Sequence, residues 1–167
     1  MAQHPDAPTR TALPYGDVPR DDCSVAATLE VVGDRWSVLV LREAFYGVRR
    51  FNDLQRNLGI PRNVLTARLQ KLVHAGVLRR VPYREAGSRE RHEYRLTSAG
   101  VELLPTVVAL MQWGDRHLAG DTGGPVVVRH RDCGATVSAV LACDAGHSGL
   151  TAFDTEPEVG PAARASA

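Results

Sequence analysis

Apolar residues along this chain fall into a succession of short helical stripes, interrupted once by an alternating, strand-like stretch. Val25, Leu29 and Val32 share one face, which predicts a helix starting near Cys23, capped by Asp21 or Asp22 and stopped by Gly33. Trp36, Leu39, Val40 and Ala44 supply the buried side of a second helix, from about Asp34 to Phe45, ended by Tyr46-Gly47. Arg49-Arg50-Phe51 reads as a connector able to add one bridge to a sheet. A short helix from Asn52 to about Leu58, capped by Asn52, then closes at Gly59. Pro61 stands where a first helical residue belongs. From there Leu65, Leu69 and Leu72 recur at i, i+4 and i+7, one buried stripe, and Gly76 ends the helix. Val77 to Val81 alternates like a strand, Arg84 to His92 is a polar loop around Gly87, and Tyr94-Arg95-Leu96 returns. This pattern predicts a hairpin with a basic tip.

A last long helix is expected from a cap at Thr97 or Ser98 to about Ala119. Leu103, Leu104, Val107, Leu110, Met111, Gly114 and Leu118 track along it, and Pro105 lies near its N-terminus, where its cost is smaller. Asp121 to Pro125 reads as a linker, and Val126–Arg129 with Thr136–Ala142 as a small hairpin. The fold class expected is mainly α (α+β): a winged helix-turn-helix with a two-stranded wing, a long C-terminal helix and a small C-terminal β-hairpin. Four parts are expected: a flexible N-terminal arm over 1–20, the winged domain over 21–119, the hairpin extension over 120–152 and a disordered tail over 153–167. The arm carries Pro5, Pro8, Pro14 and Pro19 with few large apolar side chains.

Composition narrows the class. The 167 residues are 44% hydrophobic, enough to bury the core of one ordinary domain. No unbroken apolar stretch approaches the roughly 20 residues of a membrane span, and residues 1–22 hold no apolar segment of the secretory kind. Cys23, Cys133 and Cys143 do not make a disulfide framework. A cytoplasmic protein without a membrane partner is the expectation.

Charge sharpens the picture. Between Arg42 and Arg95 stand 13 basic residues against 5 acidic ones, a local +8 in a chain whose total is only +1. A positive block inside an otherwise acidic chain is an electrostatic footprint for double-stranded DNA. The order helix, turn, helix, hairpin adds the means to use it. A short helix braces a second one that enters the major groove, where base pairs differ in their donors and acceptors. With Leu65, Leu69 and Leu72 inward, Asn63, Thr66, Ala67, Gln70 and Lys71 point outward. Asn63, Thr66, Gln70 and Lys71 can therefore reach base edges or phosphates, and Arg62 lies in the first turn, where helix N–H groups also favour phosphate. Arg84, Arg89, Arg91 and His92 belong to the wing, and Arg49, Arg50 and Asn52 can hold phosphates beside the short helix. Arg68 falls at the edge of the buried stripe, where bracing the structure competes with touching DNA. Arg42, Arg79 and Arg80 are assigned to neither task.

Other classes fit less well. No nucleophile with its base, no phosphate loop and no carboxylate pair stands out, and the six histidines are scattered, so an enzyme is not expected. A winged helix used as a protein-interaction module is the alternative. It would call for an apolar or mixed recognition face, which Asn63, Thr66, Gln70 and Lys71 do not offer.

Ordered fragments carry a family resemblance. They are Cys23-Ser24-Val25-Ala26, Leu29-Glu30-Val31-Val32-Gly33-Asp34-Arg35-Trp36, Leu41-Arg42-Glu43 and Arg49-Arg50-Phe51-Asn52-Asp53-Leu54. Val64-Leu65-Thr66-Ala67-Arg68-Leu69 follows, with Leu72 and Gly76-Val77-Leu78, and then Glu93-Tyr94-Arg95-Leu96-Thr97-Ser98-Ala99-Gly100, ending near Trp113-Gly114. From Cys23 to about His117, and more weakly to Leu150, the chain resembles the HxlR-type bacterial transcriptional regulators, related to the MarR-like winged helices. The resemblance implies a sequence-specific homodimer on an inverted-repeat operator, held together by the N-terminal helix and the long C-terminal helix. It implies control by a small effector or by cysteine modification. Cys23 matches a cysteine that senses oxidants or electrophiles in some members of the family. The other reading of Cys23 is a small residue packed in the dimer interface.

The tail carries His130-x-x-Cys133-Gly134 and then Cys143-Asp144-Ala145-Gly146-His147. This looks like a zinc-ribbon hairpin, in which two turns bring four N or S ligands to tetrahedral spacing. Relatives often carry a second cysteine where Gly146 stands here. Either His147 replaces that ligand, giving a zinc site of His130, Cys133, Cys143 and His147, or the site is degenerate and holds no cofactor. The second outcome is the expectation.

Overall fold

The structure is a computed structural model that describes residues 23–85, 87 and 89–160. The expected arm, its Asp21 or Asp22 cap and the end of the expected tail lie outside the described residues. The chain divides into two compact units, one over Thr28–Ser138 and one from the chain on either side of it.

The first helix, α1 (Ser24–Val32), begins where the sequence pattern put it; Cys23 Sγ accepts from the Ala26 amide at 3.5 Å. Next, α2 (Arg35–Phe45) starts from Asp34, whose extended backbone lets its carboxylate accept from the Trp36 and Ser37 amides at 3.1 and 3.0 Å. Then come α3 (Phe51–Leu58) and α4 (Arg62–His74). The turn between them depends on Gly59, whose φ of 60° is one that a side chain disfavours, and on Ile60, which is buried. Pro61 sits one residue earlier than expected, as the residue before α4, and its carbonyl takes the Leu65 amide. Asn52 is not the cap of α3: Arg50 holds that position, with no side-chain hydrogen bond to the helix's first turn.

β1 (Leu78–Tyr83) and β2 (Arg91–Leu96) pair antiparallel from Leu78↔Leu96 to Tyr83↔Arg91. The wing is longer than alternation suggested, so Arg91 and His92 lie on a strand, not in the loop. The connector adds the expected bridge: Arg50 pairs with Glu93, and the Tyr94 amide donates to the Arg49 carbonyl at 2.8 Å.

Thr97 caps α5 (Ser98–Val101), its hydroxyl accepting from the Gly100 amide while donating to the Gly76 carbonyl. The helical path then continues as α6 (Leu104–His117). The long helix is thus present but hitched at residues 102–103. Pro105 explains the hitch, because a proline inside one continuous helix would lose a hydrogen bond and clash with the preceding turn, whereas in the first turn of a new helix it does neither.

The tail differs from expectation in its pairing. Val126–Arg129 and Thr136–Ala142 share only the Arg129↔Thr136 bridge and flanking hydrogen bonds such as Val137 to Val128. The hairpin proper is β3 (Leu141–Ala142) with β4 (Ser148–Leu150).

The core gathers Val40 and Leu41 of α2, Leu54 of α3, Ile60, the fully buried Leu65, Leu69 and Leu72 of α4, and Val77 and Leu78 at the root of the wing. Two polar residues share this depth. Ser37 is fully buried with its hydroxyl 2.6 Å from Asp34, and Glu43 takes Arg42 at 2.7 Å and Asn57 of α3 at 2.9 Å. Neither was on the expected buried face of α2; Trp36, Leu39 and Ala44 of that set are only half-buried.

Asp34 also ties α2 to α4 through Arg68 at 2.9 Å and, more loosely, Lys71 at 4.0 Å. Burial pushes its carboxyl up, but the Ser37 hydrogen bonds and the Arg68 and Lys71 charges outweigh that, so its pKa lies below the usual carboxylate range. Asp34→Ala should cost about 1–2 kcal/mol at neutral pH, read from the urea midpoint. A depressed folded pKa means that the aspartate's contribution is complete above its unfolded pKa and fades as pH falls through the folded one. The gap between wild type and variant should therefore narrow on acidification. A gap that widened would overturn this account.

Candidate nucleic-acid interface

The exposed face of α4 stands over its leucine stripe. Asn63, Thr66, Ala67 and Gln70 are all exposed, as the helical wheel predicts, and His74 continues the row one turn on. The sequence reading did not single out His74, although its i+4 spacing from Gln70 is the signal. Thr66 spends its hydroxyl proton on the Arg62 carbonyl at 2.8 Å, which leaves its oxygen free to accept. Lys71 departs from the expected outward face. It is half-buried and drawn toward Asp34, the same carboxylate that holds Arg68. Arg68 therefore braces α4 against α2.

Beside this face runs an open groove between the N-terminal ends of α3 and α4 and the wing. Of the residues expected at DNA or in the wing, Arg50, Asn52, Arg62, Arg89, Arg91 and His92 line it, together with Arg56 and Arg80. Arg56 and Arg80 enter because α3 faces the wing, a tertiary fact that no local pattern reports. Asp53, Glu85 and Glu90 also line it, so the groove is basic but not uniformly so. Several of its cations are already oriented. Arg62 lies over Phe51 at 4.9 Å, Arg50 over Tyr83 at 4.7 Å, Arg56 pairs with Asp53 at 2.6 Å, and Arg80 meets His92 Nδ1 at 3.1 Å. Arg49 and Arg84 are exposed outside this lining. Stacking on an aromatic ring leaves the hydrogen-bonding edge of a guanidinium available to an acceptor, the disposition that phosphate recognition uses; at Arg50 that edge meets Glu85 at 2.7 Å.

The remaining candidates lie elsewhere. Cys23 is half-buried at the start of α1. In the tail, His130 Nδ1 and Cys133 Sγ are 3.2 Å apart across one turn, and Cys143 Sγ and His147 Nδ1 are 3.3 Å apart across another. Each pair would offer two ligands, half of a tetrahedral zinc set. Among the described residues no group of three or more His, Cys, Asp or Glu gathers around one point. No helix among them is long and apolar enough to cross a membrane.

Comparison with known proteins agrees with this geometry. The profile of the HxlR-like helix-turn-helix family matches residues 31–122. An uncharacterized HTH-type transcriptional regulator of Mycobacterium tuberculosis, Rv3095, is 50% identical over 142 residues, covering 85% of this chain and 89% of that protein. Among solved structures, the candidate transcription factor PA1607 superposes with a TM-score of 0.72 at 39% identity, covering 83% of this chain and 96% of that one. The redox regulator HypR in its reduced form gives a TM-score of 0.51 at 30% identity, covering 56% and 92%.

Proposed function

The chain belongs to the HxlR-like helix-turn-helix family of transcriptional regulators, and from that premise we propose that it is a homodimer reading an inverted-repeat operator. The observation that carries this reading is the exposed row Asn63, Thr66 and Gln70 on α4, flanked by the arginine-lined groove between α3 and the wing. Amide and hydroxyl side chains read base edges in the major groove, while Arg62, Arg89 and Arg91, with Arg49 and Arg84, grip the backbone. Lys71, tied to Asp34, contributes positive potential near the helix more than a direct contact.

Apolar surface supports the dimer. α6 buries only Val108 fully and leaves Leu110 and Trp113 more than half exposed; Val25 and Leu29 of α1 are exposed as well. That is more apolar surface than one protomer's core uses, and a second copy is its natural cover. Two α4 helices related by a two-fold axis would enter major grooves about 34 Å apart. Control falls to Cys23 or to a small effector. Modification of the thiol would change the size and acceptor strength of the sulfur that takes the Ala26 amide in the first turn of α1, and the redox regulator HypR is a precedent among similar proteins.

Selection of DNA from random sequence by the purified protein tests both halves of the reading. Recovered sites should carry two inverted half-sites about one helical turn apart. Gln70→Ala should relax sequence preference, at a cost of about 1–3 kcal/mol on the preferred site, whereas Arg89→Ala should weaken all sequences alike. Single, unpaired half-sites would refute the dimer, and equal losses on selected and random DNA for both variants would refute the division of labour.

A further inference from the structure

Resting on that reading, we propose that Glu85 is a built-in competitor for DNA phosphate on Arg50. The Glu85 carboxylate lies 2.7 Å from Arg50 Nη1, across the junction where the wing meets the residue that precedes α3. Arg50 is otherwise disposed as a phosphate clamp. Its backbone is fixed by the bridge to Glu93, its guanidinium is stacked 4.7 Å over Tyr83, and its edge faces the groove that Arg62 and Arg89 also line. A carboxylate offers a guanidinium the same pair of acceptor oxygens that a phosphate does. Glu85 therefore occupies the position in which a phosphate oxygen would satisfy Arg50.

The pair is built to exchange. The two side chains are 48% and 47% exposed, so water screens the pair and its opening is cheap. Binding DNA replaces the carboxylate with a phosphate, and the displaced Glu85 then lies beside a polyanion. Both steps weaken binding equally for every sequence, since neither touches the base-reading row on α4. The consequence is a lower load on random DNA, where backbone contacts supply essentially all of the affinity.

The test measures binding of the full chain to a selected site and to random duplex, for wild type, Glu85→Gln, Arg50→Gln and the double variant, across a salt series. Glu85→Gln should bind both duplexes about two- to fivefold more tightly per protomer, with a steeper salt slope by up to about one. The slope is a readout that a merely structural role for Glu85 would not move. In the Arg50→Gln background the same substitution should tighten binding distinctly less, because the competition is gone and only the repulsion between Glu85 and the polyanion remains. Unchanged or weaker binding by Glu85→Gln, or equal tightening with and without Arg50, would overturn the proposal while leaving DNA binding intact. A wild-type chain that bound neither duplex would overturn the functional reading as well.

Discussion

Leu69→Ala should destabilise the folded domain by about 2–5 kcal/mol, a large part of the roughly 5–15 kcal/mol that holds an ordinary domain together. Leu69 has no exposed surface and sits in the middle of the α4 stripe, between Leu65 and Leu72, which are equally buried. It belongs to a core that also draws residues from α2, α3 and the root of the wing, so the void would open inside a cluster shared by several elements. Rigid helices on several sides cannot all move in to close it, which places the expected cost away from the low end of the range. The measurement is the urea midpoint at unchanged m-value, with Leu69→Met as the volume-conserving control expected to cost less than about 1.5 kcal/mol. A loss below about 1 kcal/mol for the alanine variant would mean that α4 is not anchored through this stripe. Because the same helix carries Asn63, Thr66 and Gln70 on its other side, loss of DNA binding by the variant should track the unfolded fraction and not a change in sequence preference.

Local pattern made most of this fold legible. The stripe Leu65, Leu69, Leu72 is a periodic signal that needs no partner to be seen, and it also fixes which residues of α4 face outward. Gly59 and Thr97 mark element ends through backbone chemistry confined to a few residues. That the connector over residues 49–51 adds one sheet bridge was likewise within reach of the sequence, though its partner, Glu93, was not. What stayed hidden depends on groups distant in the chain. Glu43 is buried because Asn57, fourteen residues on, completes its hydrogen bonds. Lys71 leaves the outward face because a carboxylate on another element attracts it, and a helical wheel carries no information about neighbours. Arg56 and Arg80 join the groove only once α3 and the wing face each other. The pairing of Leu141–Ala142 with Ser148–Leu150 escaped for a different reason: strands this short leave too few alternating positions to set a register.

Operator affinity should fall about 1000-fold or more between 50 and 200 mM salt. Of the central +8, the structure withdraws Arg42, held by Glu43, and Arg68, held by Asp34, from any role at the DNA. Arg49, Arg50, Arg62, Arg84, Arg89 and Arg91 are the exposed arginines proposed to meet the DNA backbone in each protomer, with Arg50 exchanging Glu85 for phosphate. If only half of them meet phosphate, a dimer makes about six such contacts. The logarithm of the binding constant then changes by about 0.9 per contact for each tenfold change in salt, which compounds to roughly three decades over this fourfold range. Random duplex should show nearly the same slope, because the phosphate set is common to both, while the difference in affinity between selected and random DNA should persist at high salt, carried by the uncharged row on α4. A selected-site slope below about two would mean that the groove does not lie on the backbone, and would turn the interpretation of this wing toward protein recognition.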